Sequence, residues 1–148
     1  MTDTDGTQSN QIEHFIAALR ALEEDNDLDS IVATYAETSE TSNVATPCVF
    51  AGRDGARNFW TRYRRSFGEV RSEFRHVVVG EGVVALEWTT TGTGPDDGSA
   101  IAYDGVSMLE LDEGGITRFR AFFDSANLGR QMVEDGKVTA ATTPAGAR

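Results

Sequence analysis

The sequence predicts one α+β domain in which three N-terminal helices pack on a curved antiparallel sheet. Three observations carry this. Apolar residues recur at helical spacing through the first part of the chain. After about residue 70 the pattern changes to period-two alternation of β-type residues. The connections between those later runs are short and rich in glycine, which makes neighbouring strands antiparallel hairpins.

Residues 1–8 are polar and are expected to fray. Ser9 is placed to cap a first helix running to about Glu24, with Ile12, Phe15, Ile16, Leu19 and Leu22 as its buried stripe. Glu23 to Asp27 break that pattern, and Asp27 can cap a short second helix with Leu28, Ile31, Val32 and Tyr35 inward. From Glu37 to Ala51, Ser, Thr and Val with Pro47 predict an extended stretch or short hairpin. Gly52-Arg53-Asp54-Gly55 is a turn and helix entry. The third helix, about 56–67, sets Ala56, Phe59, Trp60, Tyr63 and Phe67 against Arg57, Arg62, Arg64 and Arg65. Strands are predicted at 70–79, 83–91, 99–111 and 116–125. The folded domain is thus expected over 9–133, with a mobile tail over 134–148 that has too few apolar residues to pack.

A chain of 148 residues suits a single domain with a real core. No apolar run reaches the ~18 residues of a membrane span, and Met1 to Asn10 carry no secretory pattern. Cys48 is the only cysteine, so no internal disulfide or cysteine-based metal site is available and a cytoplasmic location is expected. With 24 acidic and 13 basic residues, the net charge of −11 argues against a nucleic-acid partner by like-charge repulsion. Lys137 is the only lysine. That surface fits either a salt-adapted protein or an acidic protein that favours arginine, and both readings stay open.

Element order and local motifs together resemble the nuclear transport factor 2-like superfamily, and within it the SnoaL-like polyketide cyclase group. The likeness covers about 12–132. It rests on Ile31-Val32-Ala33-Thr34-Tyr35-Ala36, the Gly52-Arg53 turn, and Leu86-Glu87-Trp88-Thr89-Thr90-Thr91-Gly92. Gly105-Val106-Ser107-Met108-Leu109 and Gly115 through Asp124 complete it. The resemblance implies a cone-shaped α+β barrel with a deep apolar pocket, often dimeric through its sheet. It does not select an activity, since the superfamily holds isomerases, cyclases, hydrolases, dehydratases and non-catalytic binders.

Two chemistries of the superfamily lack their residues here. Leu19, Thr46 and Ser107 stand where ketosteroid isomerases carry a tyrosine, a basic aspartate and an acidic aspartate. Trp88 and Thr90 replace the Arg-x-Asp pair of limonene epoxide hydrolases, leaving only Asp124. SnoaL-like cyclases, as the resemblance implies, use no cofactor: an aspartate on the last strand removes an acidic C–H proton. Asp124, after Phe122 and Phe123, matches that position, and a carboxylate so placed would be desolvated. The alternative is that Asp124 caps the end of the strand near the turn toward Leu128, or pairs with an arginine.

By alternation Trp88 and Thr90 share a face with Val84 and Leu86, and Tyr103 and Ser107 share one with Leu109. Turned inward, Trp88, Thr90, Tyr103, Ser107 and Phe122 would contact a ligand. The alternative is core packing with satisfied polar tips. Phe119, Phe123 and Met108 are expected on the outer face, where an apolar surface marks a homodimer. His14 is expected to be solvated and His76 half-buried. With no third ligand in view no metal site is predicted. Arg62, Arg64, Arg65, Arg71 and Arg75 form either an anion site or solvated pairs with the abundant carboxylates.

Two function classes remain. One is a cofactor-independent cyclase, isomerase or lyase acting on an apolar carbonyl compound with Asp124 as base. The other is a non-catalytic module of the same fold that binds a small apolar ligand or a second subunit.

Overall fold

Along α1 (Thr2–Asp25) the predicted stripe of Ile12, Phe15, Leu19 and Leu22 is buried, and this face anchors the helix on the sheet. The computed structural model describes residues 2–134, so the tail beyond 134 lies outside the described residues. The helix begins at Thr2, which puts Ser9 within it and not at its cap. Gln8, expected in a frayed leader, is buried. Its amide donates to Gly80 O (3.0 Å) and accepts from Gly82 N (3.2 Å), satisfying a turn that would otherwise be left open.

Asp27 caps α2 (Leu28–Val32) as expected, its carboxylate accepting from Ser30 N at 3.1 Å. Tyr35, predicted on that helix, instead opens β1 (Tyr35–Asn43). The short β2 (Phe50–Ala51) follows, then α3 (Gly52–Arg65), which buries Ala56, Phe59 and Trp60. The meander is β3 (Val70–Val79), β4 (Val83–Thr93), β5 (Ala100–Asp112) and β6 (Gly115–Phe123), close to the predicted bounds. Residues 124–134 were not expected to be helical, yet α4 (Ser125–Glu134) closes the described chain.

One curved sheet results, in the order β2-β1-β6-β5-β4-β3. Its meander is antiparallel as predicted, whereas β1 joins β6 in parallel. In β4 the inward set is Val84, Leu86, Trp88 and Thr90; in β5 it includes Tyr103, Ser107 and Leu109. Both match the alternation. In β6 the expected faces are reversed. Phe119 and Ala121 are buried and Phe122 is 40% exposed, because Arg118 and Arg120 share its face and cannot enter the core unpaired. An irregularity in β3 between Phe74 and His76 likewise moves His76 to the outer face, opposite Glu87.

The third helix ends on its arginines. Arg64 donates to Phe67 O and Gly68 O, both at 3.1 Å, satisfying carbonyls beyond the last turn. Arg71 pairs with Glu24 (3.2 Å) and Arg75 with Glu87 (3.6 Å), so these members of the basic cluster form exposed ion pairs.

Candidate functional site

Helices α1 and α3 lie over the concave face of the sheet without filling it. A cavity of about 450 Å³ remains, bounded by Phe15 and Leu19 above and by the inner residues of β3 to β6 below. Its walls are aromatic and mutually braced. Trp60 packs edge-on against Phe59 (ring centroids 5.0 Å apart) and Phe119 (5.3 Å). Tyr103 meets Trp88 and Phe123 edge-on, each at 5.4 Å.

Four of the predicted contact residues, Trp88, Thr90, Tyr103 and Ser107, come together in this wall. Trp88 Nε1–H donates to Ser107 Oγ at 2.9 Å, which fixes the indole plane. Both polar tips are thereby satisfied, as in the packing alternative. Tyr103 differs: its hydroxyl has no hydrogen-bond partner among the described residues and borders the cavity.

Phe122 and Asp124 are not part of the cavity. Phe122 lies on the outer face with the Arg120 guanidinium 5.7 Å from its ring centroid. Asp124 is exposed, one residue past β6, and its Oδ1 accepts from Asn127 N at 3.0 Å. It caps α4, the alternative left open by the sequence. The strand ends before the carboxylate can turn inward, so the desolvation expected of a pocket base does not arise. Gln131 of α4 then donates to Ala102 O (2.8 Å) and accepts from Ala102 N (2.9 Å), fastening that helix to β5 beyond the end of β6.

The ionisable group next to the cavity is one the sequence reading passed over. Glu23, near the end of α1, is only 4% exposed. Its Oε2 accepts from Tyr63 Oη and Ser72 Oγ, each at 2.7 Å, and its Oε1 accepts from Ser72 N at 2.9 Å. Thr90 Oγ1 stands 2.7 Å from Ser72 Oγ. Since Ser72 spends its proton on Glu23, Thr90 must be the donor in that contact. Tyr63, Ser72 and Thr90 border the cavity and Glu23 lies directly behind them. Burial pushes the Tyr63 phenol well above its usual range, and the adjacent Glu23 pushes it further. Tyr103 is shifted upward by burial first and by Glu23 second.

A signal for Glu23 was present: it continues the i, i+4 row Phe15, Leu19 onto the buried face of α1. Tyr63 and Ser72 carried no comparable mark, since their role depends on Glu23. Thr46 and Asn43 form part of the rim, as do Arg62 and Arg65 of α3 and Asp96 and Asp97 of the β4–β5 turn. Among the described residues no three His, Cys, Asp or Glu side chains converge as a metal site would require.

A curved sheet covered by helices is the architecture of the nuclear transport factor 2-like fold. Residues 12–119 match the SnoaL-like domain model, and the chain belongs to that family. No curated protein is significantly similar to it. Among solved structures, TerC co-crystallised with polyporic acid superposes with a TM-score of 0.73 at 17% identity, over 84% of this chain and 97% of its own. An NTF2-like protein of unknown function from Burkholderia pseudomallei gives 0.74 at 15% identity, over 84% and 96%. A candidate polyketide cyclase from Xanthomonas campestris gives 0.69 at 20%, over 85% and 96%. At such identities the likeness establishes the fold alone.

Proposed function

We propose that this protein binds one small, mostly apolar organic molecule in the cavity, with the polar end of the ligand against Tyr63, Thr90 and Tyr103. The observation that carries this is the cavity itself: about 450 Å³, aromatic around its walls, with polar groups gathered in front of one buried carboxylate. Pockets of this size and lining bury most of a drug-sized ligand, and the few polar groups orient it. TerC, of the same fold, was co-crystallised with polyporic acid, which supports a small organic ligand here too.

Both tryptophans of the chain, Trp60 and Trp88, line the cavity, so their fluorescence reports occupancy. A neutral apolar dye such as N-phenylnaphthylamine should quench them saturably. Ala121→Leu, which fills space at the cavity wall, should weaken that binding by about tenfold. Quenching that is absent, or unchanged in the filled variant, would rule the reading out.

A second reading, cofactor-independent acid–base catalysis on an apolar carbonyl compound, is favoured by the chain of hydroxyls. A proton arriving at Thr90 Oγ1 can pass through Ser72 Oγ to Glu23 Oε2, each hydroxyl releasing one proton as it accepts another. Glu23 then takes the role that the sequence assigned to Asp124. Deuterium exchange at the α-carbon of an enolisable bicyclic ketone, followed by NMR, tests it. Exchange lost in Glu23→Gln but kept in Asp124→Asn supports the relay; exchange indifferent to Glu23 excludes it.

Homodimerisation through the outer sheet face is proposed as well, on Val106, Met108 and the exposed Phe122. Because Phe119 points inward, the apolar patch is smaller than expected. Sedimentation equilibrium showing only monomer at micromolar concentration would refute it.

A further inference from the structure

We infer that the cavity is built for a small organic cation: a protonated amine on an apolar body, with its N–H groups on Thr90 and Tyr63 and its charge balanced by Glu23. This rests on the cavity being the binding site. Three independent features agree on the sign of the ligand's charge.

The first is an uncompensated charge. Glu23 is 4% exposed, and among the described residues no Arg or His lies within ion-pair distance of it. Arg20, three residues away on the same helix, makes no ion pair with it, and Arg71, next to Ser72 in β3, is engaged by Glu24 and Glu73. Held by three neutral donors and by no Arg or His, this carboxylate lies directly behind the part of the cavity wall formed by Tyr63, Ser72 and Thr90. A cation there gains far more than it would in water.

The second is hydrogen-bond polarity. Tyr63 and Ser72 direct their protons to Glu23, and Thr90 directs its proton to Ser72. What Tyr63 and Thr90 have left for a ligand is lone pairs, so at these two groups the wall accepts. Tyr103, with no hydrogen-bond partner of its own among the described residues, can accept from a ligand or donate to it. A ligand head bearing N–H satisfies these acceptors. A carboxylate would meet lone pairs at Tyr63 and Thr90 and a like charge behind them.

The third is the wall. Trp60, Tyr63, Trp88 and Tyr103 line the space, and aromatic rings attract cations through their quadrupoles. Arg62 and Arg65 at the rim act in the opposite sense. They are exposed and water-screened, Arg62 lies 5.5 Å over the Phe50 ring, and Asp96 and Asp97 share the rim with them. The net charge of −11 also draws cations toward the protein.

Calorimetric titration with three probes sharing one body tests the inference: biphenylmethylammonium, biphenylmethanol and biphenylcarboxylate. The ammonium should bind about tenfold or more tighter than the alcohol, with the carboxylate weakest. Glu23→Gln should abolish the preference for the ammonium while leaving the alcohol bound. Equal affinity of the ammonium and the alcohol for the wild-type protein overturns the inference without need of a variant. So does a preference that survives in a folded Glu23→Gln protein. If none of the three binds, the pocket proposal fails as well, whereas binding of the alcohol without discrimination leaves that proposal standing and removes only the cation.

Discussion

Replacing Glu23 by alanine or by glutamine should have very different effects, and the difference follows from which donors can turn. Three donors converge on the carboxylate: Tyr63 Oη at 2.7 Å, Ser72 Oγ at 2.7 Å and Ser72 N at 2.9 Å. In Glu23→Ala the backbone N–H of Ser72 is fixed in the strand and cannot find a new partner. A buried donor left unsatisfied costs about 1–3 kcal/mol. The two hydroxyls can rotate toward each other across 3.3 Å, so each loses nearer 1 kcal/mol, and the expected total is about 3–5 kcal/mol. Glutamine fills the same volume. Its carbonyl can keep the Ser72 N–H, and its amide protons meet hydroxyls that reverse to accept. Loss of charge-assisted bonds is offset by removal of a buried unpaired charge, leaving a net change within about 1 kcal/mol. Urea unfolding, followed by the fluorescence of Trp60 and Trp88, measures both variants. An alanine variant no less stable than the glutamine variant would show that Glu23 is not held as described. The reversal also turns the free protons of Thr90 and Tyr63 into the cavity, so the glutamine protein should come to prefer acceptor ligands.

Gly105→Ala should destabilise by about 1–3 kcal/mol, because a Cβ there would overlap the Trp88 ring and approach Phe122 O to 2.7 Å, neither of which can withdraw without breaking packing or pairing. The same variant should weaken probe binding, since Trp88 is pushed into the cavity; unaltered stability would refute the contact. All three tyrosines, Tyr35, Tyr63 and Tyr103, are shifted above the ordinary 10.0, with burial the largest cause. The neutral phenol is the form the fold retains, so the stability they contribute is complete below that value and falls as the pH rises above it. Ultraviolet titration should therefore show tyrosinate appearing together with unfolding, and reversible ionisation of the folded protein near 10.0 would contradict it. Asp124→Ala should cost about 1 kcal/mol through the lost cap of α4, Asp124→Asn almost nothing, and neither should change probe binding. A loss of binding in Asp124→Asn would return that carboxylate to the site.

Local pattern reached a long way into this protein. Helical spacing in Ile12 to Leu22 and alternation through Val84 to Thr90 assigned both elements and faces, because a single residue on the wrong side would bury polarity or expose the core. The same logic put Trp88 and Thr90 on one strand face and Tyr103 and Ser107 on another, and left open whether both faces turn toward a ligand. For β6, alternation separated Phe122 from Phe119 and Phe123 but did not say which set was inside. The charges of Arg118 and Arg120 held that information, and the paired Phe122-Phe123 run obscured it. Asp124 was legible as either a pocket base or a cap, and only the unpredicted α4 resolved it.

By itself, then, the sequence determined an α+β order, which follows from residue type at fixed short spacing, and an acidic net charge, which follows from composition. The tertiary structure decided where the chemistry sits. Glu23 meets Tyr63, Ser72 and, through Ser72, Thr90 only because α1 is laid across α3, β3 and β4. A carboxylate's environment is set by partners tens of residues away in the chain, and no local periodicity records them.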